Sequence, residues 1–386
     1  MTRDPFELIP MPASREPVSL LSVDRAVSEL RRGRFVALNG SGGAFLVLAA
    51  EGATPDMLAE LRDVSRSVPS VAITATRARV LGLAETAGKI VTVSAGRGLD
   101  AGVIRDIADP LSENPLSDAV KAMLTVAVRK AAAFDGETAA VTLAKLARLL
   151  PAAVTAPIAD PTAEDLSGWA ARHDLLLVDA GDIFQYDSTA ARTLTVVGSA
   201  RVPLIDNQST RVIAFRPIDG GLEHLAIVIG EPAKDAAVLL RLHSECFTGD
   251  LLGSLRCDCG DQLQGAIREI AAAGSGVLIY LAQEGRGIGL VNKLRAYELQ
   301  DRGFDTMDAN EQLGFDADER VYLPAARILR HLGFARVRLM TNNPDKVAAL
   351  ADCGIAVAQR MPHAFPSNKH NEGYLRTKAA RGGHVF

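Results

Sequence analysis

The sequence predicts a two-domain chain: an α/β domain over residues 1–190, then an α+β domain with a mixed sheet over 191–386. Three observations lead there. At about 150 residues per domain, a chain of 386 residues is too long for one small module. Between residues 20 and 185, strand-like and helix-like segments alternate. Beyond residue 186 the texture changes to short apolar–polar alternation around a Gly220–Gly221 turn, the pattern of antiparallel strands.

Taken in order, AVSELRRGR (26–34) has the spacing of a short amphipathic helix, and RFVALNG (34–40) that of a strand entering a turn. GGAFLVLAAEG (42–52) is a second strand, followed by a helix in TPDMLAELRDVSRS (54–67). VAITATRARVLGLA (71–84) is a strand and a helical turn. DAVKAMLTVAVRKAAA (118–133) and GETAAVTLAKLARLL (136–150) show helical period. Pro151, Pro157 and Pro161 punctuate an expected loop. A helix through Trp169 and the strand DLLLVDA (174–180) complete this half. In the second half TLTVVGSARVPL and TRVIAFRPIDGGLEHLAIVIG are strands. GDQLQGAIREIAAAG is a helix, GVLIYLA a buried strand, LPAARILRHLG a helix and ARVRLM a strand.

Composition narrows the function. With 48% hydrophobic and 23% charged residues the chain is ordinary globular protein, not a disordered or fibrous one. Lys and Arg total 42 against 46 acidic residues, a net charge of −4, which gives no footing for a nucleic-acid partner. Aromatic residues, at 5%, offer little stacking surface for single strands. Neither a signal peptide nor a membrane span is legible, so a soluble cytoplasmic protein is expected. The basic residues Arg360, Lys369, Arg376, Lys378 and Arg381 read as a solvated tail.

Of the four cysteines, Cys246, Cys257 and Cys259 fall together as C-x10-C-x-C, while Cys353 is remote. That is no disulfide framework. Three thiolates leave a fourth zinc position open to water, the arrangement of a catalytic site. A structural zinc closed by His243 or Cys353, or plain buried thiols, also fits the spacing. QEGRGIG (283–289) follows a strand, so its glycines can admit a phosphate that Arg286 would grip. TNNPDK (341–346) also follows a strand and opens a helix; taken alone, it fits a plain turn and cap. DADER (316–320) alone fits a solvated loop.

Together these pieces resemble GTP cyclohydrolase II. RLHSECFTGDLLGSLRCDCGDQL, YLAQEGRGIGLVNKLRAYELQDRGFDTMDANEQLGF, DADER and MTNNPDK carry the likeness, which extends from RVPLIDNQSTRVIAFRP to NEGYLRTKAARGGH. The resemblance implies hydrolysis of GTP to a 2,5-diamino-6-ribosylamino-pyrimidinone 5′-phosphate, formate and pyrophosphate, opening riboflavin biosynthesis with Zn²⁺ and Mg²⁺. It implies zinc on Cys246, Cys257 and Cys259, with attack of an activated water at C8 of guanine. It assigns the nucleotide to Arg241, His243, Ser244, Glu245, Gln262, Glu284, Gly285, Arg286, Thr306, Thr341 and Lys346. Asp318 matches the proton acceptor, Tyr297 an active-site tyrosine, and Arg320 a nucleophile toward the α-phosphate. A guanidinium is effectively always charged, so Arg320 suits an electrostatic clamp better than a nucleophile. Val321 stands where the family pattern has Asp. A homodimer is the family expectation.

Residues 20–187 resemble 3,4-dihydroxy-2-butanone 4-phosphate synthase in framework positions, through AVSELRRGRFVALNGSGGAFLVLAAEGATPDML, GETAAVTLAKLARLLPAAV and ARHDLLLVDAGDIFQY. Where that family carries an acidic Mg²⁺ loop this chain has NGSGGAF (39–45), and in place of its His-Thr-Glu stand Gly136, Glu137 and Thr138. The domain over 1–190 is therefore expected to be a degenerate, inactive synthase-like unit, serving as scaffold, dimerisation or regulatory module. Two other functions remain: a cyclohydrolase-like paralogue of pyrimidine (uracil) catabolism, and a non-catalytic GTP sensor. Tyr297, Asp318 and Arg320, all present, favour the enzyme.

Overall fold

The computed structural model describes residues 16–83, 88–96, 98–112, 116–129, 134–367 and 369–371. Two compact units result, one of Pro17–Tyr186 with Val291–Glu319, the other including Asp187–Leu290 and the described residues from Arg320 onward. Residues 291–319, which the sequence reading placed in the second domain, thus cluster with the first unit.

The first unit runs α1 (Glu16–Arg31), β1 (Val36–Gly40), β2 (Gly43–Ala49), α2 (Pro55–Ser65), β3 (Ser70–Thr74), α3 (Ala75–Val80), β4 (Ile90–Ser94) and α4 (Ala101–Ala108). It continues α5 (Asp118–Met123), β5 (Thr125–Arg129), α6 (Gly136–Leu146), β6 (Ala152–Pro157), α7 (Leu166–Arg172), β7 (Leu176–Asp179) and α8 (Ala180–Arg192), the last running six residues past Tyr186. Among the described residues its sheet has the order β5-β4-β3-β6-β2-β1-β7, antiparallel except for the parallel β1–β7 pair. Alanine-rich α6 lays Ala139, Ala140 and Leu143 against Val36, Leu38 and Val47 of the sheet. Small side chains let helix and sheet approach closely, and each buried Val or Leu contributes about 1.5–3 kcal/mol.

Three local expectations need correction. The helix read over 118–133 is α5 followed by β5, whose Val126 and Val128 pair with Val93 and Val91 of β4; residues 130–133 lie outside the described residues. Ser117 caps α5, and the β-branched alternation after Met123 favours a strand. The proline-punctuated loop is β6, paired on both sides, to β2 and β3. Pro151 precedes this strand and Pro157 ends it, so neither removes a ladder hydrogen bond from its middle. The helix read over 26–34 begins at Glu16 and ends at Arg31.

The second unit carries β8 (Thr195–Arg201), β9 (Thr210–Arg216), β10 (His224–Ile229), β11 (Val238–Ser244), α9 (Cys259–Ala272) and β12 (Gly276–Leu281). Helices α10 (Leu290–Asp301) and α11 (Thr306–Gln312) follow, almost wholly within the first unit's insertion. The chain then returns through α12 (Leu323–Leu332), β13 (Arg336–Met340), α13 (Pro344–Asp352) and β14 (Ala356–Met361). The order β14-β13-β11-β12-β10-β9-β8 joins a parallel half, β11 to β14, to an antiparallel half, β8 to β10. These two units of mixed helix and sheet bear out the predicted fold class. Arg360, read as part of a solvated tail, sits on β14 and donates to the Thr341 carbonyl at 3.4 Å. Arg376, Lys378 and Arg381 lie outside the described residues. Among the described residues no helix is long and apolar enough to cross a membrane.

Candidate active site

Three of the sequence motifs leave the carboxyl ends of three adjacent parallel strands: the cysteine segment after β11, QEGRG after β12 and TNNPDK after β13. Ligands of open α/β sheets gather at that edge. From β11 the chain enters a π-helical turn over Phe247–Leu251, and Cys259 opens α9. The sulfurs of Cys246, Cys257 and Cys259 lie within 4.8 Å of one another, with Cys246 and Cys257 at 3.7 Å. Among the described residues this is the single group fit to hold a metal. Gly249 sits in its wall: a Cβ there would stand 2.8 Å from Cys257 Sγ and from Cys259 Cβ, and 3.0 Å from Cys246 Sγ.

Without metal, Cys257 and Cys259 hold their protons at neutral pH. The hydrogen bond with Cys246, with burial adding, pushes Cys257 up to about 11, and Cys259 is raised for the same reasons. A thiophilic cation must displace those protons, so its apparent affinity rises with pH. Neither proposed fourth ligand joins the cluster. His243 turns Nε2 to Asp250, and Cys353 caps the end of α13 against the sheet core.

Asp250 is the organiser that the sequence reading missed. Its buried carboxylate accepts from His243 Nε2 at 3.0 Å, from the Cys246 N–H at 3.0 Å and from the Tyr280 hydroxyl at 2.9 Å. The Asp250 N–H returns a bond to the Cys246 carbonyl at 2.7 Å. Cross-strand register sets His243 opposite Tyr280, and the rings stack at 5.5 Å. Burial lowers the His243 pKa although Asp250 opposes it. The neutral ring therefore carries its proton on Nε2, leaving buried Nδ1 without a partner. The Asp250→Asn substitution leaves one acceptor oxygen where the carboxylate offered two to His243, Cys246 and Tyr280, and removes the charge that orients them. Zinc affinity should fall by about 10–100-fold in a chelator competition, as for other groups that orient metal ligands. Unchanged affinity would deny Asp250 that role.

Glu284, also buried, links the β12 loop to the metal turn: Oε2 accepts the Phe247 N–H at 2.6 Å and Oε1 the Gly285 N–H at 2.9 Å. Arg286 adopts φ 63°, ψ 32°, a left-handed conformation that costs a non-glycine residue about 1–2 kcal/mol. Such strain clusters at functional sites. Arg241 is buried, donating Nη1 to the Met340 carbonyl at 2.9 Å and Nη2 to Gln262. Burial lowers its pKa to about 10, with Asp258 opposing, so it stays cationic at neutral pH. Lys346 is buried and donates to the Leu242 carbonyl at 3.3 Å. Thr341 Oγ1 accepts the Asn343 N–H at 3.0 Å, and Asn343 caps α13, so this motif also serves as turn and cap.

Ser244 ends β11, with its hydroxyl buried and unpartnered. Glu245 borders an apolar cavity of about 460 Å³, which Phe247, Asp250 and Tyr280 also line beside Leu225 and Ile267. The Arg320 guanidinium lies 5.9 Å from the Tyr322 ring centroid, and the Val321 carbonyl accepts from Gln283. Position 321 thus contributes its backbone here. Tyr297 on α10, Thr306 at the start of α11 and Asp318 fold with the first unit. His363 is a second miss: it accepts the Asn342 side-chain amide at its carbonyl (2.7 Å) and contacts the Gln262 carbonyl through Nε2 (2.9 Å). No spacing in the sequence marks it.

The GTP cyclohydrolase II family profile matches residues 195–362. A GTP cyclohydrolase-2 of Azospirillum brasilense is 55% identical over 385 residues, covering 99% of this chain and 97% of that protein. The riboflavin biosynthesis protein RibBA of Phocaeicola vulgatus is 35% identical over 407 residues, covering 96% and 99%. Among solved structures, RibBX, a two-domain 3,4-dihydroxy-2-butanone 4-phosphate synthase from A. baumannii, aligns with a TM-score of 0.36 at 19% identity. That alignment covers 89% of this chain and 99% of that one. With near-complete coverage at such identity, the chain belongs to the GTP cyclohydrolase II family.

Proposed function

We propose that the chain hydrolyses GTP to 2,5-diamino-6-ribosylamino-4(3H)-pyrimidinone 5′-phosphate, formate and pyrophosphate, the first step of riboflavin biosynthesis. It would act as a cytoplasmic homodimer, with one Zn²⁺ per site and Mg²⁺ accompanying the triphosphate. The observation that carries this reading is the three-thiol cluster at the end of β11, inside the region that matches the family. A soft trithiolate set suits zinc and leaves one coordination position for water. Bound there, zinc would supply Lewis-acid activation of a water for attack on the guanine ring.

The chain's own residues do the rest. Arg241, Arg286 and Lys346 supply positive charge for the triphosphate, and Arg320 clamps charge that develops at the α-phosphate. His243 and Ser244, whose Nδ1 and Oγ are unpartnered, offer polar atoms to the nucleotide. Gln262 and Thr341 add amide and hydroxyl groups, and Gly285 brings backbone close. Glu245 offers a carboxylate beside an apolar cavity, which suits a base whose edge donates hydrogen bonds. Glu284, besides its two backbone bonds, belongs to the same shell. Thr306 and Tyr297 position substrate, and Asp318 accepts the proton of the attacking water.

Incubation of the zinc-loaded chain with GTP and Mg²⁺ tests this. Formate, pyrophosphate and the pyrimidine product are expected together. GTP binding without release would favour a sensor, and no GTP binding would favour a pyrimidine-catabolism relative. Ribulose 5-phosphate should give no butanone phosphate, because the β1–β2 turn Ser41–Gly42 offers no carboxylate for a hard cation.

A further inference from the structure

The segment 291–319 is gripped along its length by the rest of the first unit. Buried Arg77 on α3 donates Nη1 to the Gln312 carbonyl at 2.9 Å, Nε to the Ile107 carbonyl at 2.9 Å and Nη2 to the Asp106 carbonyl at 3.3 Å. One planar guanidinium thus joins α4 to the end of α11. Thr74, the cap of α3, donates Oγ1 to the Gly314 carbonyl at 2.7 Å. Gly314 itself has φ +86°, and a Cβ there would meet Arg77, Pro151 and Thr74 atoms at 3.1 Å. Only glycine fits that approach comfortably. Leu313 and Phe315 on either side are buried.

Both ends are held as well. Asn292 on α10 donates Nδ2 to the Arg148 carbonyl at 3.0 Å. Arg295 reaches Glu51 at 3.4 Å, and Glu51 also accepts the Leu150 N–H at 2.7 Å. Lys145 on α6 pairs with Glu319 at 2.6 Å, the neighbour of Asp318. The grip consists largely of buried donors on backbone carbonyls, which fix main-chain position. The exposed Arg79–Glu311 pair adds little.

We infer that the first unit is a positioning module for this segment. Arg77 and Thr74 set the main-chain conformation from which Tyr297, Thr306 and Asp318 serve GTP turnover. The inference rests on the reading above that these three residues take part in the reaction. Arg77 touches no substrate; it acts through the segment. Burial lowers its pKa to about 10, so the clamp keeps its charge at neutral pH.

The test uses the full zinc-loaded chain carrying Arg77→Met or the milder Thr74→Val, with kcat and KM for GTP and amide hydrogen exchange as readouts. Arg77→Met should lower kcat by about 10–100-fold, the scale of a small misplacement of catalytic groups, with a smaller change in KM. Exchange should rise over 306–319 and stay unchanged over 246–259. Combined with Asp318→Asn, Arg77→Met should cost little beyond Asp318→Asn alone, since both act on one element. A kcat unchanged in both clamp variants while Asp318→Asn abolishes turnover would overturn the inference. If Asp318→Asn kept full turnover, the reading of the segment would fail instead. Should Arg77→Met fail to fold, Thr74→Val, which removes one hydrogen bond, carries the same comparison with an expected loss of about threefold to tenfold.

Discussion

Cys257→Ser should abolish zinc retention and ring opening together. A neutral hydroxyl is a poor substitute for a thiolate toward a borderline-soft cation, and two cysteines cannot hold the ion against solvent exchange. Lewis-acid stabilisation is worth several kcal/mol, and about 4 kcal/mol corresponds to roughly a thousandfold in rate. Turnover with GTP should therefore fall by roughly a thousandfold or more, with bound zinc lost from the purified chain. Because Cys257 lies just ahead of α9 and outside the main sheet core, the fold should survive, with far-UV circular dichroism unchanged. Full turnover in the substituted chain would show that the cluster is not the metal site.

Gly249→Ala should act almost as strongly without removing any ligand. The added methyl would stand 2.8 Å from the Cys257 sulfur and the Cys259 Cβ, and 3.0 Å from the Cys246 sulfur. None of these atoms is the free end of a long side chain, so the cysteines or the turn must shift. Gly249 is buried in the π-helical turn, and Gly260 closes the other side, its Cβ position only 2.5 Å from the Gly249 carbonyl. Overpacking of this kind costs about 1–3 kcal/mol. Here it falls on ligand geometry, so zinc affinity and kcat should each drop by about 10–100-fold. A cobalt-substituted sample makes the cause visible, since its ligand-field spectrum should change on Gly249→Ala and remain intact in a distant control. An unaltered spectrum with full activity would refute the close packing around the thiols.

The cysteine cluster was legible because its members occupy one short segment, where spacing translates directly into proximity. QEGRGIG and TNNPDK were legible for a related reason: each follows a strand, and parallel strands deliver their ends to one edge. Asp250 was not. Its role depends on His243 and Tyr280 standing opposite each other across β11 and β12, a register that no local pattern states. β6 was hidden by its flanking prolines, although those lie at the limits of the strand. The association of 291–319 with the first unit was hidden most deeply. It depends on Arg77 and Thr74, more than 200 residues upstream of the carbonyls they bind. A charged residue on a short helix carries no sequence mark of three carbonyl partners.

If Cys246, Cys257 and Cys259 hold the metal that GTP ring opening requires, formate release from GTP in the presence of Mg²⁺ should follow the titration of the metal-free full chain with Zn²⁺. Activity should be absent at the start, rise in proportion to zinc bound, and level off at one equivalent per chain. Full formate release from metal-free protein would show that the three cysteines do not supply a metal to this reaction.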